Sequence, residues 1–146
     1  MSIREYSDDD FKAVQDIYLL CKPEEFSNEK VHVDIIPLAE DRKRLDEFNL
    51  STVFVSEKDS VVGFVTVLNN QIGWLYVHPE FRKQNIGKQL LSFVLDFLKN
   101  QTVTLNTTKS NFPALLLYKK FRFSTVKEFV VSVNGVDIEV CQLSRT

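Results

Sequence analysis

The sequence predicts an α/β domain in which a mixed, mostly antiparallel sheet is flanked by helices. Three observations support this fold class. Short runs of strand-forming residues alternate with amphipathic helical patterns along the chain. Three strand-like runs follow one another between residues 52 and 77, separated only by turns. Near the end, Asn134-Gly135 joins two alternating runs, which is a strong hairpin signal. The predicted element order is β-α-α-β-β-β-α-β-α-β-β.

The predicted elements of the first half are an opening strand, two helices and two strands joined by a short turn. They are a strand at 2–6, a helix from Ser7 or Asp8 to Pro23, a helix at 38–48, and strands at 52–57 and 61–68. The first helix begins with an acidic turn, which the helix dipole favours, and has apolar residues at helical spacing. The second helix is less amphipathic. The polar segment Glu24–Val33 between the two helices is predicted to be irregular.

The second half begins with an apolar strand that leads through a basic connection into a helix. Its predicted elements are a strand at 72–77, a connection at 78–87, a helix from Lys88 to near Asn100, a strand at 103–107, a helix from Ser110 or Asn111, and strands at 125–133 and 136–143. Pro113 is tolerated in a first helical turn. The order strand, helix, strand favours a parallel pair for the strands at 72 and 103.

Composition excludes several classes of protein. The chain has 146 residues, 44% of them hydrophobic and 26% charged, as expected for one soluble globular domain. Its net charge of −2 gives no general attraction to nucleic acid or membrane lipid, and neither is expected as a partner. The only two cysteines, Cys21 and Cys141, lie far apart and show no C-x-x-C spacing, so neither a metal site nor a disulfide framework is expected. With no signal pattern and no apolar run near ~18 residues, a cytoplasmic location is expected.

The basic connection at 78–87 suggests an anion site. The first turn of a helix exposes backbone N–H groups and the positive end of the dipole, and Arg82, Lys83 and Lys88 add full charges. A phosphate or pyrophosphate would fit such a site. A plain strand–helix junction with a solvated basic face explains the same residues equally well.

Residues 77–88 read V-H-P-E-F-R-K-Q-N-I-G-K. They resemble the acyl-CoA-binding motif of the GNAT acetyltransferase superfamily, V-x-P-x-(Y/F)-(R/Q)-x-x-G-x-(G/A)-K, whose loop wraps the CoA pyrophosphate. The resemblance implies that the cofactor-binding residues of this loop are Arg82, Lys83, Gln84, Asn85, Ile86, Gly87 and Lys88. Asn85 replaces the first glycine of the motif, and asparagine adopts positive φ more readily than other non-glycine residues.

Residues 111–123 read N-F-P-A-L-L-L-Y-K-K-F-R-F. They are similar to the second signature of the same superfamily, N-x-x-A-x-x-(L/F)-Y-x-K-x-G-F. Arg122 replaces a glycine that normally forms a left-handed helix cap, so this helix is expected to end differently. With two signatures in the right order, the chain is identified as a single-domain GNAT member of bacterial type over residues 1–146. The resemblance implies that the strands at 72 and 103 splay apart at their C-terminal ends.

The resemblance also implies individual roles. Tyr118 would protonate the departing thiolate of acetyl-CoA, the co-substrate, although spacing alone favours a core aromatic residue. Asn111 would contact the pantetheine arm, or act as a plain helix cap. Lys120 would reach the phosphates, or be solvated. The remaining implied contacts are backbone contacts to the pantetheine amides, from Leu75, Tyr76 and Val77.

The base and the acceptor are less well defined. The strand at 72–77 carries no Asp or Glu, which leaves direct base catalysis without an obvious residue. His78 has a suitable pKa, but a structural role is favoured. Glu24, Glu25 and His32 are candidates for substrate contact or simply part of a solvated loop.

Three functions fit these observations. The first is an N-acetyltransferase in which a primary amine, either a small molecule or a protein amino group, attacks acetyl-CoA directly. The second is a non-catalytic, regulatory acetyl-CoA-binding module, and the third is a structural domain with a coincidental basic turn. No metal is expected in any of them, and a monomer or a homodimer would suit the chain.

Overall fold

The computed structural model describes residues 2–146 and has the predicted order of elements. The helices are α1 (Phe11–Cys21), α2 (Arg42–Leu50), α3 (Ile86–Phe97) and α4 (Phe112–Lys120). The strands are β1 (Ser2–Glu5), β2 (Thr52–Lys58), β3 (Ser60–Leu68), β4 (Gln71–Val77), β5 (Val103–Thr108), β6 (Ser124–Val133) and β7 (Val136–Arg145). They form one seven-stranded sheet in the order β1-β2-β3-β4-β5-β7-β6. Every neighbouring pair is antiparallel except β4 and β5. The predicted mixed α/β fold is therefore confirmed.

In three segments the structure shows why an element differs from the sequence prediction. The helix predicted at 38–48 is a separate 3-10 turn, Leu38–Glu40, followed by α2, because Asp41 caps α2 by accepting a hydrogen bond from the Arg44 N–H (3.3 Å). The segment predicted to be irregular begins with a 3-10 turn at Lys22–Phe26. Helix α3 starts at Ile86 rather than Lys88, since the left-handed Asn85 (φ 64°) turns the chain directly into the helix and Ile86 is buried.

The end of α4 was expected to depart from the family pattern, and that expectation was wrong. Arg122 adopts the left-handed conformation (φ 67°) that the usual glycine would have. The N–H of Phe123 donates to the carbonyl of Tyr118, and the N–H of Arg122 donates to the carbonyl of Lys119, each at 3.0 Å. An arginine, with an exposed side chain, therefore occupies a glycine-type cap.

Two apolar layers sandwich the sheet. On one face α1 and α2 pack on a cluster that includes Phe64 and Tyr76. On the other face α3 and α4 cover a cluster that includes Ile72 and Leu105. Within residues 2–146, no helix is long and apolar enough to cross a membrane.

Strand β4 contains a bulge. Val65 pairs with Leu75 and Val67 pairs with Ile72, so Thr66 alone faces two residues, Gly73 and Trp74. The Thr66 hydroxyl accepts a hydrogen bond from the Trp74 N–H (2.8 Å), which the bulge removes from the ladder. A Cβ atom on Gly73 would lie 2.3 Å from Thr66 Oγ1, so the bulge needs glycine at that position.

Strands β4 and β5 diverge soon after they begin. Their parallel ladder has only two pairs, Gln71 with Thr104 and Ile72 with Leu105. Beyond these pairs β4 remains bonded to β3, whereas β5 remains bonded to β7. The divergence implied by the family resemblance is therefore present, and it opens a gap through the sheet.

Candidate active site at the divergence of β4 and β5

Two clefts meet at this gap. The larger cleft, of about 680 Å³, lies between the end of β4, the start of α3, the first turns of α4 and the segment after α1. The smaller cleft, of about 340 Å³, lies between the beginning of β4, the end of β5, α2 and the β6–β7 hairpin. The residues that line both clefts are Glu25, Leu75, Tyr76, Asn111, Ala114 and Tyr118. A ligand in either cleft would therefore approach the same few side chains.

The larger cleft ends at the N-terminus of α3. The first helical hydrogen bond of α3 runs from the Gln89 N–H to the Asn85 carbonyl (2.9 Å), which leaves the preceding N–H groups for other partners. The Asn85 side chain does not cap them. A Cβ atom on Gly87 would meet only Val77 Cγ2, at an ordinary 3.6 Å, so the space in front of this turn is open. Lys83 and Lys88 line the same end and make it electropositive.

The guanidinium of Arg82 is occupied by protein groups. It donates to both carboxylate oxygens of Glu24 (2.9 and 2.5 Å), to the Val77 carbonyl (3.3 Å) and to Cys21 Sγ (3.4 Å). The hydrogen bonds to Glu24 raise the pKa of Arg82 further, although burial opposes this. Burial raises the pKa of the Cys21 thiol to about 11, so the thiol is neutral at physiological pH. Arg82 thus fixes the segment after α1 against the end of β4.

Tyr118 stands where the two clefts join. Only 8% of the residue is exposed, and its ring packs edge-on against Phe123, with centroids 5.7 Å apart. Burial, and next the negative charge of Glu25, raise the pKa of Tyr118 above its usual value of 10. The phenol is therefore protonated at neutral pH.

Glu25 is held at the same junction by two partners. The Tyr76 hydroxyl donates a hydrogen bond to one carboxylate oxygen, and Lys22 Nζ lies 3.4 Å from the other. Lys22 is itself fixed over the rings of Phe26 (5.5 Å) and Trp74 (5.8 Å). Burial, and next the charge of Glu25, raise the pKa of Tyr76 well above its usual value, which keeps this phenol a hydrogen-bond donor.

Most of the sequence-predicted cofactor residues lie together. Those that line the larger cleft are Leu75, Tyr76, Val77, Arg82, Lys83, Asn85, Ile86, Gly87, Lys88 and Asn111. Gln84 and Lys120 line neither cleft. Asn111 immediately precedes α4, but its side chain does not cap the helix. The alternative of a plain helix cap is therefore wrong for Asn111.

The residues predicted to contact the acceptor or to act as a base differ in whether they line a cleft. The His78 Nδ1 accepts a hydrogen bond from the Glu80 N–H (3.1 Å), and this histidine lines neither cleft. His32 is exposed and pairs with Asp34 (3.0 Å), also away from both clefts. Glu24 is bonded to Arg82, which leaves Glu25 as the candidate that reaches the junction.

Sequence reasoning missed the walls of the smaller cleft. They include Lys22, Lys43, Glu47 and the apolar faces of β6 and β7. No local pattern marks these residues, since they come from distant parts of the chain.

Residues 11–123 match the model of the Acetyltransferase (GNAT) family. Since this match covers well over half of the chain, the protein belongs to that family.

Relatives in other organisms match part of the chain. It is 40% identical over 60 residues to human Cysteine-rich protein 2-binding protein, a match that covers 41% of the chain and 7% of that protein. It is 32% identical over 71 residues to Peptidyl-lysine N-acetyltransferase YjaB of Salmonella typhimurium strain LT2, covering 49% of the chain and 48% of that protein. The chain thus spans less than half the length of these relatives.

Solved structures match the whole fold. A GCN5-related N-acetyltransferase from Rhodopseudomonas palustris superposes with a TM-score of 0.81 at 16% identity, covering 99% of this chain and 94% of that one. A GNAT superfamily phosphinothricin acetyltransferase from Sinorhizobium meliloti, in complex with acetyl-CoA, superposes with a TM-score of 0.70 at 18% identity, covering 99% and 86%. At these identities the likeness establishes the fold.

Proposed function

We propose that this protein is an N-acetyltransferase that moves an acetyl group from acetyl-CoA to a primary amine by direct attack. The observation that carries the proposal is the position of Tyr118. This protonated phenol stands at the junction of a cleft that ends on a helix N-terminus and a second cleft that opens on the other side of the gap. Two substrates that enter from opposite sides would meet beside a proton donor.

The larger cleft has the features that a CoA thioester requires. Its volume of about 680 Å³ lies within the usual range for small-molecule sites. At one end the open N–H groups of α3, with Lys83 and Lys88, would bind a diphosphate. Along one wall the edge of β4 beyond Ile72 has no neighbouring strand on the β5 side. Apart from the Val77 carbonyl, which Arg82 holds, the backbone groups on this edge are therefore available to the amides of an extended ligand.

Individual residues of the chain would position the two substrates and move a proton during the reaction. Acetyl-CoA, when bound, supplies an acetyl group activated as a thioester. Tyr118 would donate a proton to the departing sulfur, and Asn111, which lines both clefts, would help to position the ligand between them. The amine would occupy the smaller cleft. Holding both substrates in one orientation would supply much of the rate enhancement.

Binding and turnover test this proposal together. We expect calorimetry to detect acetyl-CoA binding, and a thiol assay to detect CoA release that depends on an added amine. The panel of amines is a lysine peptide with a blocked N-terminus, a peptide with a free N-terminus, a free amino acid and a polyamine. Mass spectrometry should find the acetylated amine. Acetyl-CoA binding without turnover of any amine would contradict the proposal and indicate a non-catalytic module.

The phosphate end of the cleft can be tested with matched lysines. Lys88→Ala should weaken acetyl-CoA binding by about 1–3 kcal/mol, because it removes a charged group from the end of the cleft where the diphosphate is proposed to bind. Lys99→Ala, on an exposed residue in the turn that follows the C-terminal end of the same helix, should leave the dissociation constant unchanged. Equal affinities for both variants would mean that the diphosphate binds elsewhere.

A further inference from the structure

We infer that Glu25 is the catalytic base that takes the proton from the acceptor amine. The inference rests on the proposed N-acetyltransferase function and adds a proton acceptor, which strand β4 does not provide. An amine must be unprotonated to attack a thioester, and a lysine-type amine is almost fully protonated at neutral pH. Strand β4 carries no Asp or Glu, so a carboxylate has to reach the junction from another element.

The position of Glu25 singles it out. Within residues 2–146, the carboxylates that line either cleft belong to Glu24, Glu25 and Glu47. Glu24 lines only the larger cleft and is bonded to Arg82, and Glu47 lines only the smaller cleft. Glu25 lines both, so it alone stands where an amine in the smaller cleft would approach a thioester in the larger one.

The surroundings of Glu25 suit a base. About 20% of its side chain is exposed, which leaves a path for the proton to solvent. The Tyr76 hydroxyl and the Lys22 ammonium hold the two carboxylate oxygens, so the side chain is oriented before any substrate binds. Lys22, with 11% of its side chain exposed, also supplies the counter-charge that makes a half-buried carboxylate less costly.

The proton balance closes with two residues. An acceptor that enters as an ammonium ion must lose two protons to become an amide, while a C–N bond forms and the C–S bond breaks. Glu25 takes the first proton, which frees the nitrogen lone pair, and later returns it to solvent. Tyr118 gives its proton to sulfur as the C–S bond breaks, and the second proton passes from the nitrogen to the Tyr118 phenolate, which restores the phenol. One proton is released for each acetyl group transferred.

The test compares Glu25→Gln with Glu24→Gln, an identical change at the neighbouring residue. The substrate is the panel amine with the highest kcat/KM. Glu25→Gln should lower kcat about 100-fold or more at pH 7, and it should remove the loss of activity on acidification that we expect for the wild type. Glu24→Gln should keep that acidic limb. Thermal unfolding should show that both variants are folded at the assay temperature, and calorimetry should give Glu25→Gln wild-type affinity for acetyl-CoA.

A binding measurement separates a base from a merely structural residue. With CoA in place of acetyl-CoA no reaction occurs, and Glu25→Gln should bind the same amine about tenfold or more weakly, since the ammonium loses its carboxylate partner. Tyr76→Phe should lower kcat less and retain the acidic limb, because it only frees Glu25 to move. If the wild type turns over an amine and Glu25→Gln retains its kcat and acidic limb, Glu25 is not the base. If the wild type turns over no amine, the proposed function itself fails, and the role of Glu25 with it.

Discussion

At the scale of single residues, the most informative side chain is the Tyr118 phenol. Tyr118→Phe should lower kcat by about 10- to 100-fold, because a thiolate is a tolerable leaving group and the loss of one general acid is only partly limiting. The ring would stay in place against Phe123, so acetyl-CoA affinity should change little. Stopped-flow or steady-state thiol release, with calorimetry on the same samples, measures both quantities.

Tyr18 provides the matched control for this substitution. It is as deeply buried as Tyr118, but it packs against Trp74 (4.9 Å) in the cluster under α1 and lines neither cleft. Tyr18→Phe should therefore keep the wild-type kcat. A kcat for Tyr118→Phe equal to that of Tyr18→Phe would remove Tyr118 from the chemistry.

Two residues mark how far backbone conformation could be predicted from the sequence. Asn85 was expected to accept the left-handed conformation that the family's glycine provides, and its φ of 64° confirms this. Arg122 was expected to change the end of α4, yet it adopts the same conformation at φ 67°. Intrinsic preference favours the left-handed conformation for Asn but not for Arg, so only the first case could be predicted from residue type. The surrounding fold imposes the conformation at both positions.

At the scale of elements, the bulge in β4 sets the geometry of the gap. Gly73→Ala should destabilise the protein by about 1–3 kcal/mol, since the new Cβ would lie 2.3 Å from Thr66 Oγ1 and force the strands apart. Gly87→Ala is the matched control, because its Cβ would meet Val77 Cγ2 at an ordinary distance. Urea unfolding should therefore give Gly87→Ala a stability at or above that of the wild type.

A double variant checks the cause of that loss. In the Thr66→Ala background the obstructing oxygen is absent, so adding Gly73→Ala should cost much less than it does in the wild type. Thr66→Ala alone should be destabilising, because the Trp74 N–H loses its acceptor. Additive losses for the two changes would mean that Gly73 is needed for another reason.

The bulge also explains what the sequence could not predict about β4. In a regular strand, Ile72 and Trp74 would share a face. Here Ile72 belongs to the cluster under α3, whereas Trp74 and Tyr76 pack with the cluster under α1. The run of apolar residues identified a strand correctly, but it has no polar–apolar alternation that would reveal the change of face. The need for a glycine at position 73 becomes apparent only in the structure, where Thr66 lies opposite it.

At the scale of the whole molecule, the fold and most of the residues that line the larger cleft were predictable because their signals are local. The two signature segments are each continuous in sequence, and most of their predicted residues line one cleft. The smaller cleft and the contacts that fix its side chains were not predictable. Glu25 is bonded to Tyr76, 51 residues away in the sequence, and Glu24 is bonded to Arg82, 58 residues away. No local sequence pattern indicates either pairing.

The buried tyrosines give the whole molecule a predictable response to alkali. Burial is the main cause that raises the pKa values of Tyr18, Tyr76 and Tyr118 above 10, where the unfolded chain would ionise. Above that pH the unfolded chain has lost these protons while the folded chain keeps them. The unfolded state therefore gains stability as pH rises, and the free energy of unfolding should fall by up to about 4 kcal/mol per pH unit.

Urea unfolding at intervals from pH 8 to pH 11 measures this slope. Cys21, whose pKa is raised to about 11, should begin the decline from about pH 9, the ordinary value for its thiol. Tyr18→Phe removes one of the three phenols and should reduce the slope above pH 10 by about 1.4 kcal/mol per pH unit. At pH 8, where no phenol ionises in either state, the loss of the hydroxyl should leave the slope unchanged. Since stability of domains is typically about 5–15 kcal/mol, the wild type should unfold within a few pH units above pH 10. Identical slopes for the wild type and Tyr18→Phe would mean that this ring ionises freely in the folded protein, and that the α1 face of the core admits water.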